Sequence, residues 1–146
     1  MACYHLIRKH FKEAPMNLIL MYLLTFAVFF AIDLVWLGVI AKKLYNKYLG
    51  YLLADNVNWP AAIIFYLLFI LGLVYFAVYP AHQDASVLTA FQNGALFGFF
   101  CYVTYDLTNL ATLKNWPIQI TLIDLVWGTF VGSASATLGY LLFTLF

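Results

Sequence analysis

Three aspartates stand inside otherwise apolar stretches: Asp33 in AIDLVWLG, Asp106 in YDLTNLATL and Asp124 in LIDLVWGTF. A charge in lipid costs from about 3 kcal/mol on insertion scales to more than about 10 kcal/mol in simulations, so such residues usually mark a function. The pentapeptide I-D-L-V-W occurs twice, at 32–36 and 123–127, with aspartate and tryptophan three apart and therefore on one helix face. A carboxylate beside an aromatic wall suits an organic cation, which gains from charge and ring quadrupole together. The plainer alternative is that Trp36 and Trp127 pack or anchor, each indole N–H donating to a carboxylate.

The stretch YDLTNLATLKNWP, residues 105–117, is the densest polar group in the chain. Asp106 and Asn109 could offer two oxygens to a hard divalent cation, with Asp124 as a third. The competing use of the same residues is interhelical hydrogen bonding. Enzymes that hold Mg²⁺-diphosphate usually show denser acidic motifs than this, and no metal or cofactor is assigned. His5, His10 and His82 all lie outside the apolar stretches, which argues against a di-iron lipid oxidase. Three neighbouring carboxylates could tune one another as general acid and base. No nucleophile motif accompanies them, and catalysis is left unassigned.

These residues need elements that hold them in lipid. The chain of 146 residues is 66% hydrophobic and only 9% charged, far from a soluble domain. Its mean hydropathy is +0.92. A spanning helix needs about 20 largely apolar residues. Four such runs occur at about 16–41, 60–79, 87–113 and 117–145, joined by short connections. Backbone groups in lipid must be satisfied within their own segment, so the predicted fold is all-α: a polytopic membrane protein with four transmembrane helices in one bundle, over residues 16–146.

Residues 1–15 form a basic leader with Arg8, Lys9 and Lys12, read either as a surface helix or as a segment preceding a start at Met16. The run behind it is too long for a signal peptide and lacks a small-residue cleavage site. Cys3 and Cys101 make neither a disulfide framework nor a metal spacing. A net charge of +1 gives no reason to expect nucleic acid. Lys42, Lys43 and Lys47 in the first loop and Lys114 in the third put those loops on the cytoplasmic side by the positive-inside rule, against three basic residues in the leader.

N-W-P also occurs twice, at 58–60 and 115–117, each time opening an apolar run. Asn as N-cap, Pro in the first turn and Trp at the interface account for it structurally. Each N-W-P follows a helix with an aspartate near its C-terminal end, which suggests a parallel repeat of two helical hairpins. Asp33 lies nine residues before Lys42, Asp106 eight before Lys114, and Asp124 seven after Pro117. At about 1.5 Å per residue all three sit at a similar depth, roughly 10–14 Å from one face.

Helical spacing gives their direction. Gly94, Gly98, Tyr102, Asp106 and Asn109 form one face of the third helix, and Thr121, Asp124, Gly128, Gly132, Ser135 and Gly139 one face of the fourth. Both faces contain G-x-x-x-G, which lets membrane helices approach closely within a chain or across a homodimer. The aspartates are therefore predicted to face the bundle interior. No Lys, Arg or His lies within the four runs, so protons, a bound cation, or water and loop lysines must meet the charge.

IDLVWLG, YDLTNLATLKNWP and the second IDLVWG together resemble the bacterial membrane proteins grouped as domain of unknown function 2177, from about Met16 to the C-terminus. The resemblance implies an inner-membrane protein with a lipid-related role, and brings no established activity. It marks Asp33, Trp36, Tyr105, Asp106, Asn109, Asn115, Trp116, Pro117, Asp124 and Trp127 as the characteristic polar and aromatic positions. With Tyr102 added from the helical face and Pro117 set aside as a helix start, these make up the candidate binding residues.

The leading reading is an intramembrane acidic and aromatic pocket that binds a lipid headgroup or small amphiphilic ligand, as an accessory to membrane-lipid modification. The alternatives are a proton- or cation-coupled small transporter and a structural polar seam without a ligand. The expected partners are the bilayer, a lipid or small cationic ligand and, in some arrangements, a second copy.

Overall fold

A computed structural model describes residues 2–146, with side-chain surroundings for residues 17–146. The side chains of the basic leader, and the expectations placed on them, lie outside the described residues. Helix α1 runs Ala2–Val35, passes through a π-helical segment at Trp36–Ala41 and ends as α-helix over Lys42–Leu49. Helix α2 comprises Trp59–Leu73, a π-helical segment at Val74–Val78 and Tyr79–Gln83. Helices α3, Val87–Thr112, and α4, Ile118–Phe143, are unbroken.

Four helices among the described residues are long and apolar enough to cross a membrane. Their outer surfaces carry large exposed apolar side chains, among them Leu23, Val35, Phe65, Leu68 and Val126. Water would not tolerate so continuous an apolar coat, and lipid does. This is a membrane protein with an all-helical fold.

The helix starts follow from local chemistry. The Asn58 side chain accepts from the Ala61 N–H at 3.2 Å, with Pro60 in the first turn of α2. Ser86 Oγ accepts from the Thr89 N–H at 3.2 Å and opens α3. The second N-W-P works differently from the first. Asn115 adopts a left-handed backbone with φ of 61°, which asparagine tolerates better than most residues, and the extended Pro117 takes the N-cap position of α4. Both motifs thus open a helix, but only the first caps it through its asparagine.

Helix α1 also outruns the expected end at Ala41, because the lysines at 42, 43 and 47 are exposed on its last turns and do not interrupt it. Around the bundle each helix packs on the next, and α4 closes the ring against α1. The tightest pair is α3 with α4. A Cβ on Gly98 would run into the Gly128 carbonyl, and one on Gly94 would lie 2.5 Å from the Gly132 carbonyl oxygen. Gly139 does the same for α1, where Thr25 Oγ1 sits 2.6 Å from the position its Cβ would take. Attraction between helices in lipid comes mainly from close packing, so these contacts set the positions of α3 and α4.

Candidate functional site

The two I-D-L-V-W motifs meet in the middle of the bundle. Trp36 of α1 and Trp127 of α4 stack with ring centroids 4.2 Å apart and planes 9° from parallel. Both rings are buried. One turn earlier on each helix, Asp33 and Asp124 are buried as well, 6% and 5% exposed.

Each of these carboxylates has a tyrosine donor from another segment. The Tyr66 hydroxyl of α2 donates to Asp33 Oδ2 at 2.7 Å, and the Tyr45 hydroxyl near the end of α1 donates to Asp124 Oδ1 at 2.9 Å. The Tyr102 hydroxyl of α3 lies within electrostatic reach of Asp33, Asp124 and Tyr66, beside the Trp127 indole. Its ring lies over the backbone of Gly128. Glycine is required at 128 because any side chain there would enter that ring.

Asp106 is the exception. It is fully buried, faces Asp124 across the α3–α4 contact, and neither of its carboxylate oxygens has a hydrogen-bond partner. Most buried polar groups in proteins are paired, so this one calls for an explanation.

The structure therefore sets Asp33, Trp36, Tyr102, Asp106, Asp124 and Trp127 around the tryptophan layer, but not at the one depth expected for the aspartates. Helices α1 and α4 run antiparallel, with Thr25 against Gly139, Trp36 on Trp127 and Tyr45 on Asp124, so Asp33 lies on one side of the stack and Asp124, with Asp106, on the other. The other candidates stand apart. Tyr105 is exposed and meets Trp116 edge-on at 5.9 Å. It follows Tyr102 by three residues but precedes Asp106 by one, and a step of about 100° carries it off the buried face. Asn109 is half-buried beside Tyr105. Asn115 is exposed in the α3–α4 turn, where its backbone carbonyl accepts from the Tyr51 hydroxyl at 2.6 Å. Trp116 is buried in a separate cluster with Leu49 and Ile120, and its indole N–H donates to Thr121 Oγ1 at 3.1 Å.

Part of the dense polar stretch is satisfied locally. Thr108 and Thr112 are exposed, and their hydroxyls donate to carbonyls four residues back at 2.5 Å and 2.7 Å. Helical threonines commonly satisfy themselves in this way. Among the described residues, no group of three or more His, Cys, Asp or Glu side chains converges as a metal site.

Beside the stacked tryptophans lies a groove of about 400 Å³, open to the lipid side and lined by Trp36, Leu122, Ile123, Val126, Trp127 and Phe130. The wall is almost wholly apolar. Of its lining residues, Ile123 is the sequence neighbour of Asp124 and Trp36 stands three residues after Asp33.

Sequence reasoning missed Tyr45 and Tyr66, the two donors. Tyr66 sits alone in an apolar helix with no polar neighbour to mark it. Tyr45 lay beyond the expected end of the first helix, and only the amphipathic run of Lys42–Leu49 could have extended the helix to include it.

A family model described as predicted membrane protein (DUF2177) matches residues 18–141 of the chain. No curated protein and no solved structure matches it.

Proposed function

The chain belongs to the DUF2177 family of predicted membrane proteins, and from that premise we propose that it is a membrane-embedded binding protein for a lipid headgroup or small amphiphile. The observation that carries this reading is the apolar groove set directly against the Trp36–Trp127 stack, with Asp33 one helical turn to one side of the stack and Asp124 one turn to the other. A chain in the groove and a polar end near the carboxylates would use both halves of the site, as ligand sites commonly combine apolar walls with a few placed polar groups. An accessory role in membrane-lipid modification fits a site that opens to the bilayer.

The competing reading is a polar seam without a ligand. It draws support from the Tyr66–Asp33 and Tyr45–Asp124 hydrogen bonds, which already satisfy part of the cluster. Native mass spectrometry of the detergent-purified protein beside Asp124→Asn and Trp36→Ala, with analysis of co-purifying lipids and small molecules, separates the two. A discrete species on the wild type that is lost from both variants supports binding. Equally bare proteins that differ only in stability support the seam.

For placement we propose the bacterial inner membrane, with the α1–α2 and α3–α4 connections on the cytoplasmic side. The Tyr51 to Asn115 hydrogen bond ties these connections together at one face, and Lys42, Lys43, Lys47 and Lys114 cluster towards it. Labelling of single cysteines introduced at Asn46 and Asp84 by a membrane-impermeant thiol reagent tests this. Position 84 should react from outside intact cells and position 46 only after lysis.

A further inference from the structure

We propose that Asp106 anchors a cationic nitrogen, the ammonium end of an amphiphile whose alkyl chain lies in the groove beside Trp36 and Trp127. This rests on the binding reading above and adds to it the charge of the ligand and the residue that meets it.

The first support is an asymmetry among the three carboxylates. Asp33 and Asp124 each accept a tyrosine hydroxyl, whereas Asp106, 0% exposed, has two unpartnered oxygens. A buried carboxylate without donors is costly in a low-dielectric interior, and the protein supplies no neighbour to relieve it.

The second support is the inventory of groups around it. From α4 it faces Asp124, and the Tyr45 hydroxyl of α1 is already given to Asp124. Tyr105 of its own helix is within electrostatic reach but turns to the exterior. Between Trp59 and Leu113 the only basic side chain is His82, which packs on Phe143 near the far end of α4. None of these neighbours carries a positive charge, so a cation placed beside Asp106 would come with the ligand.

Charge complementarity then selects the ligand class. A phosphate, sulfate or carboxylate headgroup would add a like charge beside Asp106 and Asp124, which is unfavourable at any interior dielectric. An ammonium would gain charge-assisted hydrogen bonds to Asp106, and the aromatic faces of Trp36, Trp127 and Tyr102 favour cations. A bare metal ion prefers a larger set of hard oxygen ligands than Asp106 and its one facing carboxylate provide. The apolar groove supplies the place for a chain.

The test uses the full chain in phosphatidylcholine nanodiscs and reads quenching of tryptophan fluorescence by chains brominated at the far end. Three probes of equal length carry ammonium, hydroxyl or sulfate headgroups. The ammonium probe should quench saturably, with a midpoint at least about tenfold below the other two. In Asp106→Asn that midpoint should rise by about 10- to 100-fold, the worth of one hydrogen-bonded charge pair.

Equal midpoints for the three headgroups on the wild type would overturn the proposal while leaving the amphiphile reading intact. This comparison does not depend on the variant folding. An unchanged midpoint in a folded Asp106→Asn would overturn it too. Competition by chainless tetramethylammonium at the same concentration as the ammonium probe would assign the anchor to a free small cation, against the proposal. An absence of saturable quenching by any chain would remove both readings.

Discussion

Trp36 and Trp127 stack face to face at 4.2 Å, and this contact joins the two copies of I-D-L-V-W across the α1–α4 interface. Lipid is as apolar as a tryptophan ring, so burial alone stabilises the pair little, and direct stacking carries more of the contact. Aromatic pairs are worth about 0.5–1.5 kcal/mol beyond their area. A double-mutant cycle with Trp36→Leu and Trp127→Leu, read by reversible unfolding in mixed micelles, should give a coupling of about that size. The near-ultraviolet circular dichroism of the stacked indoles should vanish equally in either single variant. A coupling near zero would mean that the rings merely fill space.

The glycines of the bundle divide by what surrounds them. A Cβ at Gly98 meets the backbone of Gly128, while one at Gly38 meets nothing within 4 Å. Gly98→Ala should therefore cost about 1–3 kcal/mol, as overpacking does. Gly38→Ala should be neutral or stabilising by about 0.5–1 kcal/mol, from reduced unfolded-state freedom. Unfolding midpoints of the two variants in the same detergent decide it, and equal effects would contradict the close α3–α4 approach.

Tyr66→Phe removes the donor to Asp33 and leaves a buried carboxylate oxygen unmet, at about 1–3 kcal/mol. Replacing both partners by apolar groups should cost less than that single change, so Asp33→Leu combined with Tyr66→Phe is expected to be the more stable of the two proteins. The same comparison holds for Tyr45→Phe and Asp124→Leu. Additive losses would show that the pairs are not coupled.

The two N-W-P motifs should respond differently to substitution. Asn58→Ala deletes a helix cap and should cost about 0.5–2 kcal/mol. Asn115→Gly relieves a left-handed backbone at φ of 61° and should be neutral or stabilising, whereas Asn115→Val should cost about 1–2 kcal/mol. Thermal unfolding of the three variants would reveal any similarity of role.

Much of the bundle was legible in the sequence because lipid imposes simple rules. Apolar length marked four spans, and steps of three and four placed Gly94, Gly98, Asp106, Asp124, Gly128 and Gly132 on faces that are buried. The donors were not legible, because a tyrosine in an aromatic-rich chain carries no mark of partnership until a second helix is set against it. The extent of α1 was hidden for a related reason. Lysines end an apolar run but not a helix, since their long side chains can reach out towards water. Tyr105 entered through the family resemblance and Asn115 through the resemblance and the dense polar stretch, and helical phase and a left-handed turn set them apart from the cluster.

The π-helical segment Trp36–Ala41 acts as a phase adjuster. Asp33 and Tyr45 are twelve residues apart on one continuous helix. In an unbroken α-helix those side chains would point about 120° apart. Bonding one residue further along lets the segment lag by about one residue, about 100°, which brings the two to within about 20° of each other. One helix can thus present Asp33 to Tyr66 and, about three turns later, Tyr45 to Asp124 on nearly the same bearing. The loose winding sets an angle and not a length, so removing one residue from it would swing Lys42–Leu49 aside and part the two halves of the acidic cluster.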